Sequence, residues 1–207
     1  MNRSVFLLLF CWLVMPARAT TVEVLRGTYV EVGAVGYFQS CRDSGHRLKV
    51  TGESAAAELS SIFSVLSPQK TEPIFVELRG HRRGGVLVVS GLERAQRESD
   101  LCSEILRNSL FKAFGSVPLW YLYVDSTGLR LKTLEAAEPQ QFPLRRTRRG
   151  DNAWLFDARN GDREIHVALH RVRCVDATTG SRYSFDAEVQ IGERRYAGCA
   201  YPGRLFR

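Results

Sequence analysis

Histidine and cysteine side chains are the residues of this chain best suited to metal binding or nucleophilic chemistry. His166 and His170 would share one face of a strand, yet four residues at about 3.3 Å each separate them by roughly 13 Å. A zinc ion holds its ligands at about 2 Å, so we expect these histidines to be exposed strand residues. Cys174 lies two residues before Asp176, and a nearby carboxylate raises the pKa of a thiol and weakens it as a nucleophile. The sequence thus predicts no catalytic residue, no metal site and no cofactor.

Serines are also candidate nucleophiles, but none lies in the strand–turn–helix motif that exposes a catalytic serine. The sequence contains no phosphate loop, no dinucleotide fingerprint and no calcium loop either. Our prediction is therefore a protein that is not an enzyme.

The N-terminal segment determines how the cysteines are interpreted. Residues 1–19 are typical of a secretory signal peptide, with a positive start at Arg3, an apolar run over 5–15 and Ala17-Arg18-Ala19 at the cleavage site. Phe10 precedes Cys11 where lipoprotein processing requires a small residue, so we expect no lipid anchor. Removing the two arginines of this segment takes the formal net charge from +7 to +5.

Four cysteines remain after the predicted cleavage: Cys41, Cys102, Cys174 and Cys199. An even number of cysteines in an exported chain indicates disulfide bonds, and four cysteines allow three connectivities. No further apolar run approaches the roughly 20 residues that a membrane-spanning helix needs. We predict a periplasmic protein of a Gram-negative bacterium, with no transmembrane span after signal removal.

A cluster of arginines is the strongest charge feature of the mature chain. Its members are Arg145, Arg146, Arg148 and Arg149, at the end of a polar, proline-containing segment over 135–149 that predicts a loop. One interpretation is an anion site for lipid head groups, lipopolysaccharide phosphates or acidic glycan. The other is a solvated loop, which we favour because no aromatic residues interleave with the arginines. Export makes nucleic acid an unexpected partner, so we expect an envelope protein or an anionic envelope component.

The elements that would position these residues fall into two halves. Residues 20–102 show the order strand, strand, strand, helix, strand, strand. The helix is predicted over 54–66 from apolar residues at helical spacing, with Ser54 as its N-cap and Pro68 just beyond its end. This order is that of a five-stranded OB barrel with the helix between the third and fourth strands. The predicted fold is therefore mainly β and begins with an OB-like barrel.

Residues 103–114 are predicted to be a connector containing a short helix, and residues 115–207 to form an antiparallel β meander or barrel of six to eight strands. Alternation over 165–170 and from Tyr183 to Val189 indicates strands with one buried face. Asn160-Gly161 predicts a type I′ turn and Gly192-Glu193 a type II′ turn.

Motifs along both halves resemble known bacterial envelope proteins. The first half resembles the C-terminal OB domain of the NlpE lipoprotein family in Leu25-Arg26-Gly27-Thr28-Tyr29, 34–38, Cys41, Leu59, Glu77-Leu78-Arg79-Gly80-His81 and Cys102. The second half resembles a family of uncharacterised envelope proteins in Gly115, Pro118, Trp120, Cys174-Val175-Asp176, Gly180, Tyr183, Ala187, Val189 and Gly198-Cys199-Ala200. The resemblance implies one disulfide in each domain, Cys41 with Cys102 and Cys174 with Cys199.

The resemblance also implies a function in binding or sensing at the envelope, as for NlpE-type stress proteins. The alternative is an inhibitor of lysozyme or of another wall-cleaving enzyme. Small exported barrels with that activity carry a Ser-Gly-x-x-Tyr turn, which Thr179-Gly180-Ser181-Arg182-Tyr183 resembles. The candidate binding residues of this alternative are Thr179, Gly180, Ser181 and Tyr183.

Overall fold

The computed structural model describes residues 21–104 and 109–203. The predicted signal peptide over 1–19, with Cys11, and the predicted helical part of the connector over 105–108 lie outside the described residues. Strands make up most of the described chain. They form a seven-stranded sheet and a closed eight-stranded antiparallel barrel.

The first half contains five strands and the α-helix in the predicted order. These elements are β1 (Glu23–Val32), β2 (Val35–Ser40), β3 (Asp43–Thr51), α1 (Glu53–Leu66), β4 (Ile74–Arg83) and β5 (Val86–Gln96). Strand β1 pairs antiparallel with β2 and with β4, while β5 pairs antiparallel with β4 and parallel with β3. Since β2 also pairs with β3, each of the five strands has two neighbours among the other four.

The face that α1 turns to the core is the one predicted from spacing: Leu59, Ile62, Phe63 and Leu66 are buried. Its start was predicted wrongly, because Gly52, not Ser54, is the N-cap and no side chain caps the helix. Gly52 has φ of 124°, and a Cβ there would lie 2.3 Å from the backbone oxygen of Val89. Only glycine allows the chain to turn from β3 into α1 this close to β5.

A short 3₁₀ helix at Ser99–Ser103 follows the first five strands. Ten strands follow it: β6 (Phe111–Ser116), β7 (Leu119–Val124), β8 (Gly128–Thr133), β9 (Gln140–Arg149), β10 (Ala153–Asn160), β11 (Arg163–His170), β12 (Cys174–Val175), β13 (Arg182–Tyr183), β14 (Phe185–Ile191) and β15 (Arg194–Pro202). All but β12 and β13 belong to the barrel, in the order β10-β11-β14-β15-β6-β7-β8-β9. Large buried side chains such as Phe111, Trp120, Phe142 and Phe156 fill its interior.

One of the two predicted hairpin turns lies where it was predicted, and the other is displaced by one residue. Gly192-Glu193 connects β14 to β15 as expected, since Ile191 pairs with Arg194 and Gly192 has φ of 56°. The other turn was placed one residue too early. Asn160 still pairs with Arg163, so Gly161 and Asp162 are its central residues.

The predicted loop over 135–149 was also wrong in its second part, because Gln140–Arg149 is strand β9. Its side chains are polar on both faces after Leu144, so the period-two signal is absent there. Pro143 is tolerated because pairing with β10 begins only at Leu144. The N–H that proline lacks would therefore make no bond in the β9–β10 ladder.

The strand predicted from Tyr183 to Val189 is interrupted at Ser184. Tyr183 belongs to β13, which pairs with β5 through Tyr183–Arg94 and Arg182–Ala95. After β11 the chain therefore leaves the barrel, adds β12 and β13 to the first sheet, and returns as β14. The two halves share a sheet.

The disulfides have the connectivity that the resemblance implies, Cys41–Cys102 and Cys174–Cys199. The first bridge ties the β2–β3 turn to the 3₁₀ helix. The second joins β12, a strand of the seven-stranded sheet, to β15 of the barrel. It is therefore a link between the two sheets, whereas the sequence predicts a bridge inside one domain. Two disulfides indicate an oxidising environment outside the cytoplasm.

Candidate functional site: the arginine-rich end of strand β9

The predicted arginine cluster lies on a strand. Arg145, Arg146, Arg148 and Arg149 are all exposed and occupy the second half of β9. Strand β8 pairs with β9 only over Gln140–Pro143, and the last backbone bond on that side runs from the Leu144 N–H to the Thr127 oxygen at 3.0 Å. Within the described residues no strand pairs with residues 145–149 on the side away from β10.

A β-bulge sets the direction of the arginine side chains. Leu144 pairs with Ala158, but the next pair is Arg146 with Asp157, so Arg145 is an extra residue in β9. Beyond the bulge Arg146 lies opposite Asp157 and Arg148 opposite Leu155, on the outer face of the barrel. Thr147 and Arg149 face the other way.

The contacts of these arginines leave most of their charge unpaired. Arg148 Nη2 lies 3.5 Å from Asp157 Oδ2, and the Arg149 guanidinium carbon lies 4.9 Å from the centre of the Trp154 ring. Among the described residues, no carboxylate lies within 4.0 Å of Arg145 or Arg146. Exposed arginines with few internal partners keep their donors available for an external anion.

A groove of about 580 Å³ adjoins the arginines on the outer face of the barrel. Arg148, Asp157 and His166 lie on its wall, and Ala168 and Ala197 contribute small side chains. His166 Nδ1 is 2.9 Å from Asp157 Oδ1, so Asp157 is shared between His166 and Arg148. Most groups in this groove thus have internal partners, which makes the strand edge the better candidate for binding.

The second predicted set lies elsewhere: Thr179, Gly180 and Ser181 are in the β12–β13 connection, and Tyr183 is in β13. The Thr179 N–H and hydroxyl both donate to Asp176 Oδ1 at 2.8 Å. A Cβ at Gly180 would lie 3.5 Å from Val65 of α1. Ser181 and Tyr183 are 1% and 3% exposed. Only Thr179 of this set is exposed. The connection is bonded to the barrel through the Ser116 hydroxyl, which donates to Asp176 Oδ2 at 2.8 Å.

Asp176 and Tyr183 hold this part of the chain in place through hydrogen bonds and ring packing. Asp176 is desolvated, which raises its pKa, but hydrogen bonds from Ser116 and Thr179 outweigh that effect and lower it. Tyr183 packs edge-on against Phe114 and stacks on Tyr201. Ser181 and Tyr183 of the predicted inhibitor motif are therefore not available at the surface. Inhibition of a wall-cleaving enzyme stays a prediction.

A buried charge network that the sequence did not predict lies beside this connection. Glu104 accepts hydrogen bonds from Arg94 at 2.5 Å, from Lys112 at 3.0 Å and from the Tyr201 hydroxyl at 2.9 Å. Arg94 is 2% exposed, and its guanidinium carbon lies 3.9 Å from the centre of the Tyr201 ring. Because Arg94 belongs to β5 and Lys112 and Tyr201 to the barrel, the network ties the two sheets together.

The Glu104 carboxyl is the titratable centre of this network. Burial raises its pKa, but attraction to Arg94 and Lys112 and their hydrogen bonds outweigh burial and lower the pKa to about 2. Its side chain is 14% exposed, so solvent screens these contacts weakly.

The free energy of unfolding should fall at acid pH as the Glu104 carboxyl becomes protonated. The pKa of Glu104 in the folded protein lies below the ordinary value of 4.5. The ionised carboxylate therefore stabilises the folded state fully above about pH 5, and this contribution is lost as the pH falls toward 2. The loss is about 3 kcal/mol over that window, of which about 2 kcal/mol falls above pH 3. Urea unfolding of the wild type and of Glu104→Gln at pH 7 and pH 3 measures it. The variant should lose less stability between the two pH values, and equal losses would exclude this role.

Neither a metal centre nor a membrane helix is present within residues 21–104 and 109–203. No group of three or more metal-ligating side chains occurs there, and no helix there is long and apolar enough to cross a membrane. His166 and His170 lie on β11 as expected, but only His166 is exposed, whereas His170 is partly buried.

Comparison of the chain with protein-family models, with curated proteins and with solved structures returned no match. The likeness to NlpE and to the second envelope family therefore stays a prediction.

Proposed function

We propose that this chain is a non-enzymatic periplasmic binding protein whose barrel holds an anionic component of the envelope at the β9 arginines. One observation carries the proposal: four exposed arginines lie within five residues of one strand, and only Arg148 has a described carboxylate partner. Such a density of unneutralised positive charge repels itself and is stabilised when an anion binds.

The remaining parts of the proposal concern export and fold type. The two disulfides are consistent with a signal peptide over 1–19 and a periplasmic location. We assign the first five strands to the OB class, in an NlpE-like domain with a binding or sensing role. The pairing of β1 with β2 and β4, of β3 with β2 and β5, and the position of α1 between β3 and β4 support this assignment.

The proposal predicts that anion binding depends on where positive charge lies. A variant with Arg145, Arg146, Arg148 and Arg149 replaced by glutamine should lose at least tenfold in affinity for an anionic probe, since each arginine near a charged surface contributes about 1 kcal/mol. The probes are phosphatidylglycerol vesicles, lipopolysaccharide and an acidic peptide, with binding measured at two salt concentrations.

The control removes the same charge from exposed positions outside the barrel. Arg42, Arg47, Lys49 and Lys70 are exposed residues outside the barrel, and their replacement by glutamine should change affinity less than threefold. Equal losses in both variants would mean that net charge alone drives binding. No binding to any of the three probes would also remove the proposal.

A further inference from the structure

We propose that the free edge of β9 over 145–149 binds an extended acidic peptide segment as an added β-strand. This inference rests on the proposed anion-binding function and names its partner class. An unpaired edge offers main-chain hydrogen bonds, and pockets or charges beside it select the side chains of the incoming strand. The β9 edge combines both features at the same residues.

The hydrogen-bonding groups of the edge follow from the ladder. The Gly150 N–H donates to the Ala153 oxygen at 2.9 Å, so this pair is a bonded pair of the β9–β10 ladder. Bonded and non-bonded pairs alternate in an antiparallel ladder. Arg148 and Arg146 are then bonded to β10, and the N–H and C=O groups of Thr147 and Arg149 face the open side.

The side chains of the edge select for acidity with a two-residue spacing. Arg146 and Arg148 lie on the outer face, two residues apart, and Asp157 partly neutralises only Arg148. On the next strand, residues two apart also share a face. An incoming segment with carboxylates at i and i+2 therefore places both opposite the two arginines, where opposite charges stabilise a strand pair.

Charge also decides between the occupants of this edge. A second copy of the chain paired along the same edge would place arginines against arginines, which destabilises the pairing. A phosphate or sugar anion would use the charge and leave the backbone groups of Thr147 and Arg149 bonded only to water. An acidic polypeptide in extended conformation satisfies both the charges and the backbone.

The test separates backbone pairing from charge. The probe is a fluorescent ten-residue peptide that alternates glutamate with threonine. Two control peptides have the same sequence and charge: in one the threonine backbone nitrogens are methylated, and in the other the glutamate backbone nitrogens are methylated. A strand pairs through alternate amides, so one methylated version should bind at least tenfold more weakly than the parent while the other keeps its affinity. Weaker binding of only one methylated peptide identifies strand pairing, because unspecific charge attraction would not distinguish the two peptides.

The matched protein variant is Thr147→Pro, which removes an N–H on the open side and leaves every charge in place. We expect it to weaken binding of the parent peptide at least tenfold with a far-UV spectrum like that of the wild type. If this variant does not fold, the two methylated peptides decide alone. On binding, the amides of Thr147 and Arg149 should become protected from hydrogen exchange.

The outcomes distinguish failure of strand addition from failure of the proposed anion-binding function. Equal binding of the parent and both methylated peptides would overturn strand addition, and charge-dependent binding lost with the four arginines would then leave the proposed function intact. Binding of vesicles or lipopolysaccharide but not of the peptide would overturn the peptide partner in favour of a lipid or glycan anion. Failure of every anionic probe would overturn the proposed function itself.

Discussion

Replacing Arg94 with methionine is expected to lower the free energy of unfolding by about 3–5 kcal/mol. Arg94 is 2% exposed and pairs with Glu104, which it holds beside Lys112 and Tyr201. Methionine fills a similar volume but supplies neither charge nor donors, so the buried carboxylate loses its strongest partner. Removing one member of a buried ion pair costs far more than the pair contributes, because the other member stays desolvated.

Urea unfolding followed by tryptophan fluorescence measures this effect. The tryptophans of the described chain, Trp120 and Trp154, both lie in the barrel, so their signal reports on the half that does not contain Arg94. The matched control is Arg82→Met, at a half-exposed ion pair with Glu23, where we expect a change below about 1 kcal/mol. A similarly small change for Arg94→Met would show that the network is not coupled to the barrel.

Removal of the Cys174–Cys199 bridge by paired serine substitutions is expected to cost about 3.5 kcal/mol, as the loop-entropy relation gives for a 25-residue loop. This bridge connects β12 of the seven-stranded sheet to β15 of the barrel. Its loss should therefore also uncouple the two sheets. We expect the fluorescence transition of the barrel and the far-UV transition of the whole chain to separate.

The other disulfide provides the comparison. Cys41–Cys102 closes 61 residues, and its removal should cost about 4 kcal/mol on the same relation. Because both of its cysteines lie outside the barrel, the tryptophan transition should move less than the far-UV transition. If both double variants shift the two signals alike, the difference in the location of the bridges has no energetic consequence.

Regular elements with one buried face were predictable from the sequence. The apolar spacing of α1 and the alternation in β11 and β14 were confirmed by the buried residues of each element. In these segments the partition of side chains between core and solvent repeats with the period of the backbone, so local pattern and tertiary position agree.

Elements that depend on distant partners were missed. Strand β9 is held by backbone bonds to β10 and β8 while all its side chains after Leu144 are exposed, so its pattern is that of a loop. Strands β12 and β13 have two residues each, too short for a period to appear. The Glu104 network draws its members from four elements or connections, and none of them has a local signal for the others.

The sequence by itself determined which segments bury an apolar face, that an even set of cysteines is suited to cross-linking, and that four arginines lie close together along the chain. These properties reside in residue types and their spacing. Only the tertiary structure decided that the arginines occupy an unpaired strand edge and that the second disulfide and the Glu104 network join the sheet to the barrel. Such features require backbone groups and charges from separate segments to meet, and their geometry is set by strand pairing across the whole chain.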